Sequence, residues 1–116
     1  MTKESVKGDA VKLFAVIREA GPAWTDGVGA FDQPGASGHA AFMNRLAGDG
    51  IVLFAGPLDG TEVGRIRVLL VASAPDRETV RHRMADDPWE ASAQIRTVSV
   101  EPWSLFVGEQ RLPVVV

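Results

Sequence analysis

Apolar residues along this chain keep two rhythms, and the switches between them divide it into elements. Val11 to Arg18 (VKLFAVIR) alternates in a way that leaves apolar side chains on both faces of a strand. Residues 19–37 break the rhythm with Gly21-Pro22, Gly27, Gly29, Pro34 and Gly35, which is turn chemistry. From Gly38 to Gly48 the period becomes helical: His39, Phe42, Met43, Leu46 and Ala47 share one stripe, with Ser37 as the expected cap and Asp49-Gly50 as the stop. Ile51 to Ala55 returns to strand. Gly56 to Glu62 reads as a hairpin connection and Val63 to Ala72 as the strand coming back. Ser73-Ala74-Pro75-Asp76 opens a second helix, with the proline in its first turn. That helix runs to about Asp86 with Val80, Met84 and Asp87 on one face, and Pro88 stops it. Gln94 to Trp103 is the last strand. Leu112 to Val116 either adds an edge strand or frays.

The predicted order is βαββαβ, an α+β sandwich of ferredoxin-like type, with residues 1–10 as a flexible start, 11–107 as the domain and 108–116 as a tail. In that topology one end of the sheet collects Arg18-Glu19, the long loop, the start of the first helix at His39, the hairpin, and Asp87-Pro88-Trp89. Every unusual segment converges there. Two helices cover one sheet face, yet the strands are apolar on both: Val11, Leu13, Ala15 and Ile17 oppose Phe14 and Val16, and Ile66, Val68 and Leu70 oppose Leu69 and Val71. A second copy packed face to face, as a dimeric α+β barrel, is the expected cover, with Phe14, Val16, Leu69 and Val71 in the contact.

Composition narrows the chemistry. The 116 residues carry a formal charge of −3 and no basic cluster, which gives no electrostatic case for nucleic acid. With no cysteine, thiol nucleophiles, disulfides and thiolate metal sites are excluded, and two separated histidines make no dedicated metal centre. No apolar run suits a membrane span or a signal peptide, so the expected setting is cytoplasmic, without membrane partners.

His39 and Asp87, each fixed at a helix end, form the candidate proton-transfer pair. Arg18 would either clamp a substrate carboxylate or sit in a salt bridge. Gly56-Pro57-Leu58 would either offer backbone N–H groups to an oxyanion or form a tight turn. Trp89 would either pack or wall a pocket. The long loop is placed like a lid, with Trp24 or Phe31 facing the substrate. His82 lies among Arg77, Arg81 and Arg83 and reads as solvated.

Several of these pieces occur together in one known family. The strand KLFAVIREAGPAW, the helix GHAAFMNRLAGDG, the run IVLFAGPL, and ADDPW followed by a strand ending SVEPW resemble the YCII-related family of small dimeric α+β barrel proteins, over roughly residues 11–107. The resemblance implies an active site made of the first-helix histidine, here His39, and the aspartate before the proline, here Asp87. It further implies a homodimer or higher oligomer acting on small molecules without a cofactor, some relatives being lyases or dehalogenases on small lactones. The expectation is a lyase or isomerase on a carbonyl- or lactone-type substrate. A non-catalytic ligand-binding dimer and a cofactor-independent monooxygenase are the alternatives.

Overall fold

A computed structural model of the chain describes residues 12–59 and 65–112. Its elements are β1 (Lys12–Ala20), α1 (Ala36–Gly48), β2 (Val52–Pro57), β3 (Arg67–Ala74), α2 (Arg77–Ala85), α3 (Pro88–Ala91) and β4 (Ile95–Pro102). The four strands form one antiparallel sheet in the order β2-β3-β1-β4, so the domain is α+β. Among the described residues no helix is long and apolar enough to cross a membrane. The expected N-terminal segment (residues 1–10), Val11, the hairpin tip with Thr61 and Glu62, Val63, and the last residues of the tail lie outside the described residues. The described part of the tail holds a 3-10 turn, Glu109–Arg111, and no added strand.

The helix-covered face holds the core. Phe14 and Val16 of β1 pair with Ala72 and Leu70 of β3, and all four are buried beneath Phe42 and Leu46 of α1 and Val80 and Met84 of α2. This corrects the expected contact patch: Phe14 and Val16 lie under the helices, opposite in face to Leu69 and Val71. The register places Leu13, Ala15 and Ile17 with Ser73, Val71 and Leu69 on the other face, where Phe54 of β2 is half-exposed. Side chains alternate strictly along a strand, so reading one residue out of phase moves a whole set across the sheet.

Three helix boundaries differ from those expected, each for a local reason. Ser37 is not the cap of α1. The chain turns at Gly35, whose positive φ of 79° carries it into the helix, and a Cβ there would lie 3.4 Å from the Trp89 indole nitrogen. Packing against Trp89 therefore chooses the start, and Ser37 falls in the first turn. Ser73 and Ala74 do not open α2; they stay in β3, and Asp76 caps the helix by accepting from Thr79 N–H. Pro88 stops α2 and then starts α3, because a fixed φ and a missing N–H suit the first helical position.

The β1–β4 ladder carries a bulge. Ile17 faces Ser99, but the next residue, Arg18, faces Thr97, so Val98 is an extra residue in β4. Val100 is buried on the helix side of the sheet, and beyond the bulge Ile95 and Thr97 turn to that same side. α3 lies over this end of the sheet, against β4 and the start of α1.

Candidate functional site

Asp87 is extended rather than helical, and its carboxylate turns back onto α3, where Oδ1 accepts from Trp89 N–H at 2.9 Å. Its other oxygen, Oδ2, meets two donors from distant elements. His39 Nδ1, in the first turns of α1, lies at 2.8 Å, and Arg18 Nη1, on the last turn of the β1 zigzag, lies at 3.0 Å. The expected His39–Asp87 meeting is thus present, although 48 positions separate the two residues. Asp87 is 0% exposed and Arg18 is 1% exposed, whereas His39 keeps 20% of its side chain open. Burial pushes the Asp87 carboxyl up, but the hydrogen bonds from His39 and Trp89 and the Arg18 charge outweigh it, leaving the group below the usual carboxylate range.

The imidazole is held on a second side. Its ring stacks on the Trp89 indole at 4.0 Å between centroids and 9° between planes. Trp89 is itself fixed by donating from Nε1 to the Pro34 carbonyl at 2.8 Å. Trp89 therefore takes the packing role of its two expected ones, buried and stacked on the histidine. With Nδ1 engaged by a carboxylate, the imidazole points Nε2 away from the pair, and Nε2 makes no hydrogen bond among the described residues.

Arg18 is not free to clamp a substrate. Its two amino groups are engaged by Asp87, by Glu90 Oε2 at 2.9 Å and, more weakly, by Met43 Sδ at 3.7 Å, while its buried Nε has no hydrogen-bond partner among the described residues. The neighbouring Glu19 is not its partner and lies 3.7 Å from Arg67 instead. Glu90 accepts in turn from the Thr97 hydroxyl. Neither Glu90 nor Thr97 was expected here. Glu90 had a sequence signal, since Asp87-Pro-Trp-Glu90 has the spacing of a capping box, with an acid three residues after the cap. Thr97 had none, because only the bulge turns it inward.

The remaining candidates lie elsewhere. Leu58 N–H donates to Arg67 O at 2.8 Å and Pro57 has no N–H, so Gly56-Pro57-Leu58 is the end of β2 and no oxyanion cradle. Gly56 pairs with Leu69 in the ladder. Trp24 does not face a substrate: it is buried with Ala20, Ile66 and Ile95, edge-on to Trp89 at 5.6 Å. Phe31 is 94% exposed and points into solvent. The loop is tied down throughout. Gln33 bonds Thr25 and Val28, Gln94 donates to Ala23 O, and Arg65 bridges Asp26 and the Gly21 carbonyl. It frames the site as a fixed rim, with one indole supporting another, and offers no aromatic side chain to a substrate.

Among the described residues no group of three or more His, Asp or Glu side chains converges as a metal ion requires. His82 is exposed on α2. Compared with the models of known families, with curated proteins and with solved structures, the chain matches none of them.

Proposed function

We propose that this chain is a cofactor-free acid–base enzyme of YCII-related type, a lyase or isomerase that moves a proton on a small carbonyl- or lactone-type substrate. His39 is the catalytic residue and Asp87 orients it. The observation that carries the reading is a part-exposed imidazole whose Nδ1 lies 2.8 Å from a fully buried carboxylate, with no hydrogen bond at Nε2 among the described residues. Geometry of this kind lets Nε2 accept a proton from a substrate carbon or hydroxyl, while Asp87 stabilises the imidazolium that results. The proton is then returned from the same nitrogen. Such catalysis contributes about 10²–10⁴ in rate.

The order of elements and the strand order β2-β3-β1-β4 support assigning the domain to the ferredoxin-like class. A face-to-face homodimer is part of the same reading. Its support is the sheet face bearing Leu13, Ile17, Leu69 and Phe54, the last two well exposed, since strands apolar on both faces require two covers. Sedimentation of the wild type and of Leu69→Lys tests it: a dimer that the substitution splits is expected, and a monomeric wild type rules the dimer out.

The activity is tested by incubating the protein in D₂O with small lactones, hydroxy acids and carbonyl compounds and following conversion or deuterium uptake by NMR. Turnover that vanishes in a folded His39→Ala and drops in Asp87→Asn is the expected result, the two losses being less than additive in the double variant. Saturable binding without conversion or exchange would leave a ligand-binding dimer in place of an enzyme.

A further inference from the structure

We infer that Arg18 is a positioning residue for His39: by bridging Asp87 and Glu90, with Glu90 anchored by Thr97, it keeps the imidazole proton on Nδ1 and the lone pair on Nε2. The inference rests on reading His39 as the acid–base group.

Three groups face the Asp87 carboxylate: Trp89 N–H at Oδ1, and His39 Nδ1 and Arg18 Nη1 at Oδ2. A backbone amide and a guanidinium can only donate. The imidazole alone has a choice. If its proton sat on Nε2, the Nδ1 lone pair would confront a carboxylate oxygen at 2.8 Å, which is repulsive unless Asp87 itself carried a proton and donated it. Arg18, 3.0 Å from that same oxygen, opposes such a proton by its charge. The arrangement with Nδ1–H donating to an ionised Asp87 is the one that satisfies every partner.

Arg18 can do this because it is held from the other side. Its second amino group meets Glu90 at 2.9 Å, and Thr97 on β4 fixes that carboxylate. The guanidinium fork thus spans two carboxylates three positions apart on α3, which would otherwise repel each other. A lysine is a point charge and would serve one of them less directionally. Four elements converge on the imidazole's proton: α1 through His39 and Met43, β1 through Arg18, α3 through Asp87 and Glu90, and β4 through Thr97.

The chain has two histidines, so the experiment is direct. In the full-length protein with ¹⁵N-labelled histidine at mildly alkaline pH, His39 is expected to show a protonated, pyrrole-type Nδ1 and a pyridine-type Nε2. His82, exposed on α2, serves as the averaged reference. In Arg18→Met the split at His39 is expected to be lost while His82 stays unchanged, and Arg18→Lys is expected to restore it in part. An averaged or Nε2-protonated His39 in the wild type, or an unchanged split in folded Arg18→Met, overturns the inference. If Arg18→Met does not fold, the near-isosteric Thr97→Val decides: a weakened split supports the positioning role and an unaltered one overturns it. No substrate enters this measurement. Absence of turnover with the expected tautomer therefore removes the enzyme and leaves the positioning, whereas turnover with an Arg18-independent tautomer does the reverse.

Discussion

Asp76 at the start of α2 and Asp87 at the start of α3 perform one local task in two places. Each leaves the extended region, accepts a backbone N–H from the turn it opens (Thr79 at 2.8 Å, Trp89 at 2.9 Å), and has its carboxyl lowered below the usual range. The causes differ. At Asp76 the Thr79 hydroxyl and amide account for the shift, and the carboxylate stands in solvent. At Asp87 burial works against the charge, and His39, Trp89 and Arg18 reverse it. A helix cap becomes a candidate site when the fold delivers a histidine and an arginine to its unused oxygen. Local sequence makes the cap; topology supplies the rest.

Removing the two carboxylates should separate the cases most widely. Asp87→Ala leaves the buried Arg18 facing Glu90 alone, and breaking a buried pair from one side costs about 3–5 kcal/mol. Asp76→Ala should lower the thermal midpoint only slightly, since its pairing is local and exposed. Urea unfolding of both variants checks this, and equal losses would erase the distinction.

Acid unfolding sharpens it further. A carboxyl lowered in the folded state contributes stability that is fully present above its unfolded value, 3.8, and is lost as pH falls through the lower folded value. Below pH ~4, wild-type stability should therefore fall more steeply than that of Asp87→Asn. Asp76→Asn should flatten the same limb too, because its carboxyl is also lowered in the folded state. Urea midpoints across that range measure both slopes.

The smallest effect lies at the far end of α3. Ala93 closes that helix with φ of 64°, its N–H bonded to Glu90 O and the following Gln94 N–H to Trp89 O. This is the left-handed ending that glycine serves best. Ala93→Gly should relieve roughly 1 kcal/mol of backbone strain and return part of it through a freer unfolded chain. A rise of a few degrees at most in thermal midpoint is expected, with the His39 NMR pattern unchanged. A fall would show that the Ala93 methyl packs more than it strains.

The pairing of His39 with Asp87 was legible because it needs only element order: one helix begins where another ends. The two-faced apolar strands were equally legible, but not which face was which, because VKLFAVIR is apolar in both phases. Arg18 was visible as a strand-end cation without its partners. Glu90 is brought in by a one-turn helix, α3, too short for any periodic signal, and Trp24 was misassigned because loop length says nothing about which ring turns inward. The Gly21 position shows the same blindness. A Cβ there would collide with the Ala93 carbonyl oxygen, a close approach between segments far apart in the chain.

Val98 looks like the least consequential residue of β4, half-exposed and without a polar atom. Yet a strand is read in steps of two, and this one extra residue resets the frame. On the Val100 side the count puts even positions toward the helices; on the Thr97 side it puts odd ones there. A regular ladder that kept Val98 as a paired residue would act as a frameshift in space rather than in codons. Every letter of Ile95-Arg96-Thr97 would survive, but Val98 would be read opposite Arg18, where Thr97 now stands, and the hydroxyl that anchors Glu90 would be spelled out on the opposite face.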